Sequence, residues 1–136
     1  MNRKSRQGGA AVELAVCLPL LISITVFTVD AANVHYAKAT LDSAARIGAQ
    51  RGATQQFTSF TYAAWKADAE TAIREEMAMM PGYEADRLQA AVEASESNER
   101  VTVTATAQYR VPTMFNWSGQ GTELQLNRRF EIRQVR

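Results

Sequence analysis

The sequence has very few of the residues from which catalytic sites and covalent frameworks are built. Its 136 residues include one histidine, His35, and one cysteine, Cys17. A histidine-assisted nucleophile or a zinc site of histidine and cysteine ligands needs more than these two residues, and a disulfide within the chain needs a second cysteine. A Gly-rich phosphate-binding loop is also missing. The sequence therefore predicts no enzyme, no cofactor and no metal site.

Charge is missing from one long stretch near the N-terminus. Residues 14–29 carry no charged side chain, and in the twenty-one residues 9–29 the single charge is Glu13. A helix of about 20 apolar residues crosses the hydrocarbon core of a bilayer. Three basic residues lie at positions 3–6, and no acidic residue comes before Glu13. By the positive-inside rule, the basic end stays in the cytoplasm and the chain after residue 29 is exported.

The charge of the whole chain excludes another class of partner. The formal net charge is +1, and no basic block stands apart from apolar residues in the C-terminal part. A nucleic-acid partner would call for a basic surface. The sequence therefore predicts no nucleic-acid binding and leaves the lipid bilayer as the first expected partner.

The helical pattern continues beyond the apolar stretch. Small and apolar residues recur there at three- and four-residue intervals, as on one face of an amphipathic helix: Val34, Ala37, Leu41, Ala44, Ala45 and Gly48. We expect one helix from about Gly9 to Ala49, about 60 Å long at 1.5 Å per residue. Gly48 and Gly52 are expected to end it.

A second helix is predicted before Pro81 and Gly82, which would terminate it. Its aromatic and methionine residues fall on one face: Tyr62, Trp65, Ala69, Ile73, Met77 and Met80. Such a stripe is more often core than a binding surface. We expect this stripe to pack against the small-residue face of the first helix or against a sheet, and the helix to cover the apolar face of the sheet.

The C-terminal part alternates with period two, as in half-buried strands. Residues 100–111 place Val, Ala and Tyr on one face and Thr, Gln and Arg on the other, and residues 123–135 repeat the pattern with Arg128 as its one break. Residues 86–96 fit either a strand or a helix, and the polar turn residues after them favour a hairpin. The predicted fold is therefore α+β: a long N-terminal helix, a second amphipathic helix and a small antiparallel sheet of about three strands.

Glu13 separates the possible interpretations of the N-terminus. A secretory signal peptide cleaved after Ala31 fits the length but gives Glu13 no role. A lipoprotein reading fails because Val16 is not the small residue expected before a lipidated cysteine, and most of the apolar stretch follows Cys17. A plain single-span anchor explains length and orientation, yet it leaves the glycines and Glu13 without a purpose.

The residues around Glu13 carry a resemblance. "GGAAVELAVCLPLL", followed by a long helix containing "YAKATLDSAARIGAQRGA", resembles the TadE-like pseudopilins of the bacterial tight-adherence (Tad) secretion and pilus machinery. The matching positions are a glycine, an Ala-rich stretch with Val-Glu and a Pro-Leu-Leu within the apolar run: Gly8, Ala10, Ala11, Val12, Glu13, Pro19, Leu20 and Leu21. The resemblance spans roughly the first fifty residues.

The resemblance implies a maturation step. A prepilin peptidase would remove the basic leader, residues 1–8, by cutting between Gly8 and Gly9, which makes Glu13 the fifth residue of the mature chain. A cut after Gly9 is the alternative. The new α-amino group needs a partner in the apolar environment, and Glu13 could pair with it or with the amine of an adjacent subunit. The other interpretation is that Glu13 reaches water from the edge of the bilayer. Pro19 is expected to bend the helix locally.

The resemblance also implies an organisation and partners. Residues 9–29 would form the transmembrane segment, 30–52 its periplasmic extension and 53–136 a periplasmic α+β module. The protein would be a single-pass protein of the bacterial inner membrane with a cytoplasmic N-terminus, and would be part of a pilus that reaches the cell exterior. Expected partners are the prepilin peptidase, other pilins or pseudopilins and the inner-membrane platform of the Tad machine.

A loop in the C-terminal part offers a possible contact site. Met114, Phe115 and Trp117 lie together between the two clear strand patterns. They would either form an exposed contact tip or fold back over the sheet. If the anchor is not cleaved, the alternative function is that of a periplasmic accessory subunit whose partner binds this loop. A domain released by signal peptidase is the other alternative.

Overall fold

The computed structural model describes residues 4–97, 100–116, 119 and 121–134, with side chains from residue 9 onward except at residue 97. Helix α1 spans Lys4–Thr54 and helix α2 spans Tyr62–Ala78. A short 3₁₀ helix at Ala85–Arg87 leads into three strands, which are β1 at Leu88–Ser97, β2 at Arg100–Pro112 and β3 at Glu123–Gln134. The sheet is antiparallel in the order β1-β2-β3. The predicted α+β fold is confirmed.

Helix α1 is longer than the sequence predicts, and its glycines have another role. It continues past Ala49 to Thr54, so the prediction that Gly48 and Gly52 end it is wrong. A Cβ at position 48 would lie 2.7 Å from Ile73 Cδ1 and closer still to its Cγ1, and a Cβ at position 52 would lie 2.9 Å from Val103 Cγ1. The glycines therefore let α1 approach α2 and the sheet, and this packing offsets their low helix propensity.

The small-residue face of α1 is part of the core. Its residues between Ala37 and Ala49 that share this face are buried, and Leu41 is fully so. The other side of the core comes from the predicted face of α2, where Trp65, Ala69, Ile73 and Met77 are buried. The indole Nε1 of Trp65 donates a hydrogen bond of 2.9 Å to the Gly52 carbonyl. This bond fixes the indole against the closest approach of α1 to the sheet.

The central strand β2 shows the predicted alternation, with one face buried from Val101 to Val111. The prediction that α2 covers this face is only partly right, because α1 packs on β2 and β3 while α2 packs on β1. On β3 the predicted break, Arg128, points to the same side as its apolar neighbours and forms an ion pair with Asp42 of α1. The long first helix is therefore the main cover of the sheet.

The segment of uncertain type, residues 86–96, forms mostly strand β1. It pairs along its length with β2, from Leu88 opposite Tyr109 to Ser97 opposite Arg100. Val92 is fully buried, and its N–H donates to Glu70 Oε1 of α2 over 3.4 Å. An edge strand leaves unpaired N–H groups, and α2 supplies an acceptor for one of them.

Candidate functional site

The apolar stretch forms the exposed N-terminal half of α1. All but one of its large side chains from Val12 to Val29 are between 46% and 71% exposed, and Val26 is half-buried. By length and composition, α1 is apolar enough to cross a membrane, and none of its most apolar window is buried in the protein. Exposed apolar surface of this extent marks a site of contact with lipid or with other proteins.

The predicted cleavage region lies within this helix. Residues 8 and 9 are helical, and a Cβ at Gly9 would meet no atom within 4 Å. Packing in this chain therefore does not require the glycine at position 9. Glu13 is exposed and stands four residues after Gly9, so the two positions are neighbours on one helix face. The assembly role of Glu13 and the cut at Gly8 stay predictions.

Pro19 also lies inside α1. It has no N–H to donate to the Ala15 carbonyl, so one bond of the helix is missing at this point. One turn later the Ser23 hydroxyl donates to the Pro19 carbonyl over 2.8 Å, and two threonines further along do the same to carbonyls four residues before them. The hydroxyls of this stretch are therefore paired within the helix, as an apolar environment requires. The bend expected at Pro19 stays a prediction.

Sequence reasoning missed Asp30, which follows the apolar stretch directly. Although it lies on the otherwise exposed part of α1, it is only 3% exposed. Its Oδ2 accepts hydrogen bonds from the backbone N–H groups of Met114 (2.8 Å) and Phe115 (3.0 Å). A carboxylate that accepts backbone N–H bonds makes charge-assisted hydrogen bonds, which are stronger than neutral ones. The loop between β2 and β3 is thus held against α1 at the end of the apolar stretch.

The two described members of the predicted contact loop are exposed at this junction. The Met114 side chain is 72% exposed and that of Phe115 is 40% exposed, while Trp117 lies outside the described residues. The ring of Phe115 lies 6.4 Å from the ring of Phe27 on α1, centroid to centroid. The loop therefore extends toward the apolar half of α1. Its role in contacts stays a prediction.

The opposite end of the module is held by polar contacts between α1 and α2. Arg51 Nε donates to Asp68 Oδ2 over 2.8 Å, and the Gln55 side-chain amide donates to the same oxygen over 2.9 Å. The hydrogen bond from Arg51, followed by that from Gln55, lowers the pKa of Asp68 below its ordinary value. In the part of the chain that the structure describes, no three His, Cys, Asp or Glu residues converge as metal ligands.

Comparison with known families agrees with the N-terminal pattern. Residues 8–50 match the model of the family described as TadE-like protein. This segment is TadE-like. The match confirms the predicted resemblance and covers well under half of the chain. The matched residues include Gly8, Gly9, Glu13, Pro19 and Asp30.

The TadE-like match suggests the kind of protein to which this segment belongs. It indicates a Tad pilus-associated protein with an N-terminal apolar helix, and the family is a pilus component that is not known as enzymatic. The long apolar helix and the family together fit a membrane-anchored protein that interacts with other pilus proteins. No curated protein and no solved structure matches the chain.

Proposed function

We propose that this chain is a minor pilin or pseudopilin of a Tad (Flp-type IVc) pilus and secretion apparatus, acting in pilus assembly and adherence. One observation carries the proposal. The TadE-like match falls on a single helix, of which one half is apolar and largely exposed and the other half contributes one face to the core of a folded module. In this arrangement the membrane anchor and part of the module's core are the same helix. It suits a subunit that is first held in a membrane and whose helix then packs among the helices of other subunits.

In this proposal a prepilin peptidase removes residues 1–8 and leaves Gly9 as the first residue. The spacing of four residues supports a pairing between Glu13 and the new amine, either within one chain or between neighbours. A charged side chain costs about 2.5–3.5 kcal/mol at the bilayer centre by insertion scales, and the cost is smaller at Glu13, which lies about one turn from the end of the span. Pairing would remove part of this cost, and would favour addition of the subunit in one axial register.

The proposed organisation follows the charge pattern. Residues 9–29 span the inner membrane, residues 30–52 continue the helix in the periplasm and residues 53–136 complete the module. The basic residues at positions 3–6 keep the N-terminus in the cytoplasm. The helix then faces the bilayer, sibling pilins and the inner-membrane platform, while the module contributes lateral or tip contacts.

The maturation step is tested by intact-mass analysis of the full chain purified from membranes of cells with and without a prepilin peptidase. We expect a chain that begins at Gly9 when the peptidase is present. A start at Ala32 would indicate secretion by signal peptidase, and an intact Met1 would indicate a plain anchor. Either result contradicts the proposal.

Two matched variants locate the bond. Gly8→Ala should block processing if the cut follows Gly8, whereas Gly9→Ala should then be processed and gain the mass of one methylene. The opposite pattern would place the cut after Gly9. If neither substitution affects processing, recognition of a glycine is not the basis of maturation.

The pairing role is tested by Glu13→Ala and Glu13→Gln in a strain that carries the Tad machinery. Both variants should be processed but should copurify with the other pilins in much lower yield than the original chain. Glu13→Gln is the control for size, because it removes the charge and keeps the shape. Normal assembly of processed Glu13→Ala would contradict the pairing argument.

A further inference from the structure

The loop between β2 and β3 has a fixed base. Thr113 is only 7% exposed, and its N–H donates to the Thr122 carbonyl over 2.8 Å, which closes the loop. Its hydroxyl donates to the Phe115 carbonyl over 2.7 Å, with the Thr122 carbonyl 3.2 Å away. Together with the two bonds to Asp30, these contacts determine the direction of the residues that follow Thr113.

The loop and the two residues before it carry no charged side chain. Residues 111–122 form an uncharged stretch between Arg110 and Glu123. Within it the large hydrophobic side chains of Met114 and Phe115 are both exposed. Beside the exposed polar Asn116, the start of the loop presents a thioether and an aromatic ring at the surface.

The position of the loop along α1 decides what these side chains meet. Phe27 lies three residues before Asp30, about 4.5 Å along the helix axis, and the Phe115 ring lies beside it. Phe27 belongs to the stretch that spans the bilayer in the proposed function. Phe115 is therefore at the depth where that stretch leaves the hydrocarbon, a zone in which aromatic side chains are favoured.

We infer that Met114 and Phe115 insert into the outer boundary of the phospholipid bilayer, so that the module rests on the membrane through this loop. The inference rests on the proposed function, because it requires α1 to span the membrane. Continuity with the apolar half of α1 and the absence of charge from residues 111–122 favour lipid as the partner. Asp30 acts as a positioning residue: its carboxylate is satisfied by backbone N–H groups and shielded by the loop at the edge of the bilayer.

The experiment measures the depth of nitroxide probes on the full chain. Single cysteines are introduced by Met114→Cys, Phe60→Cys or Ile22→Cys in a Cys17→Ala background. Each labelled chain is placed, one copy per disc, in nanodiscs of phosphatidylethanolamine and phosphatidylglycerol. Electron paramagnetic resonance compares collisions with oxygen, which concentrates in hydrocarbon, and with a water-soluble nickel complex.

Phe60 is the matched control. It is an exposed aromatic residue, at 95%, beyond the far end of α1, which ends at Thr54. The axis from Asp30 to Thr54 is about 36 Å long, so Phe60 lies far from the bilayer. We expect the ratio of oxygen to nickel collisions to be severalfold higher at position 114 than at position 60, and highest at position 22.

Two results overturn the inference in different ways. If the probe at position 22 is protected from nickel and the probe at position 114 is as accessible as that at position 60, the loop does not contact lipid and the proposed span still holds. If the probe at position 22 is itself open to nickel, the span of the proposed function fails and the inference fails with it. Protection of position 114 that appears only with several copies per disc would assign the loop to a subunit contact.

Two variants test the positioning role of Asp30. Asp30→Ala removes the acceptor of both N–H groups, so the ratio of oxygen to nickel collisions at position 114 should fall severalfold. Asp30→Asn retains a carbonyl oxygen that can accept these bonds, so it should lower the ratio less. An unchanged depth in Asp30→Ala would show that the loop reaches the bilayer without Asp30.

Discussion

The close approach of α1 to α2 at Gly48 predicts that Gly48→Ala lowers stability in the original chain and raises it when Ile73 is shortened. Gly48→Ala places a Cβ against Ile73, 2.7 Å from Cδ1 and closer to Cγ1, while Ile73 is fully buried. Overpacking lowers stability by about 1–3 kcal/mol, whereas the higher helix propensity of Ala raises it by about 1 kcal/mol relative to Gly. We expect a net loss of about 1 kcal/mol, which lowers Tm by roughly 4–8 °C.

The same substitution should stabilise the protein once Ile73 is shortened. Ile73→Ala alone creates a cavity and costs about 2–5 kcal/mol, but it removes both atoms that Gly48→Ala would meet. The remaining neighbour, the Ala69 carbonyl at 3.4 Å, allows ordinary contact. In this background Gly48→Ala should raise stability by about 1 kcal/mol, through helix propensity and partial filling of the cavity.

The cycle is measured by denaturant unfolding of the full chain in detergent micelles, followed by circular dichroism and by tryptophan fluorescence, to which Trp117 and the buried Trp65 both contribute. Gly9→Ala is the matched control in the same helix, because its Cβ would meet no atom within 4 Å. It should leave the module's stability unchanged. If Gly48→Ala destabilises the protein equally with Ile73 and with Ala at position 73, the close approach is not the reason for the glycine.

Two further predictions concern the module. Asp68→Asn should lower Tm at neutral pH. Because the hydrogen bonds from Arg51 and Gln55 lower the Asp68 pKa in the folded state, the stabilisation is present above the unfolded pKa and is lost as pH falls through the folded one. The Tm difference between the original chain and the variant should therefore shrink below about pH 4; a difference that does not change between pH 7 and pH 3 would contradict this. Trp65→Phe removes the bond to the Gly52 carbonyl and should cost about 1 kcal/mol or more in thermal unfolding; an unchanged Tm would show that the bond adds nothing net.

Local pattern was enough to predict most of the elements. The face of α2 and the alternation of β2 each follow from a periodicity that the burial reproduces. Strand β1 was ambiguous because alanine and glutamate suit either state, and its type is decided by pairing with β2 and by burial of Val92. Propensity is a weak guide where tertiary contacts decide.

Two features could not be found from local sequence. Glycine near a helix end is usually a terminator, and only contacts with Ile73, Trp65 and Val103 give Gly48 and Gly52 a packing role. Asp30 is 84 residues from Met114 in the chain, and no spacing rule connects a helix carboxylate to a distant loop. In sequence, the one indication was that residues 14–29, directly before Asp30, and the loop both lack charge.

The unbroken path of α1 also has a mechanical consequence. The helix runs from Lys4 to Thr54, and the two bonds at Asp30 brace it where it leaves the apolar half. A pull or twist applied to α1 between Pro19 and Asp30 would therefore be transmitted to the sheet, and the module would move with this part of the helix as one body. The compliant point is Pro19, where one helix bond is missing. A subunit built in this way would flex inside the bundle of apolar helices and hold its exported face rigid.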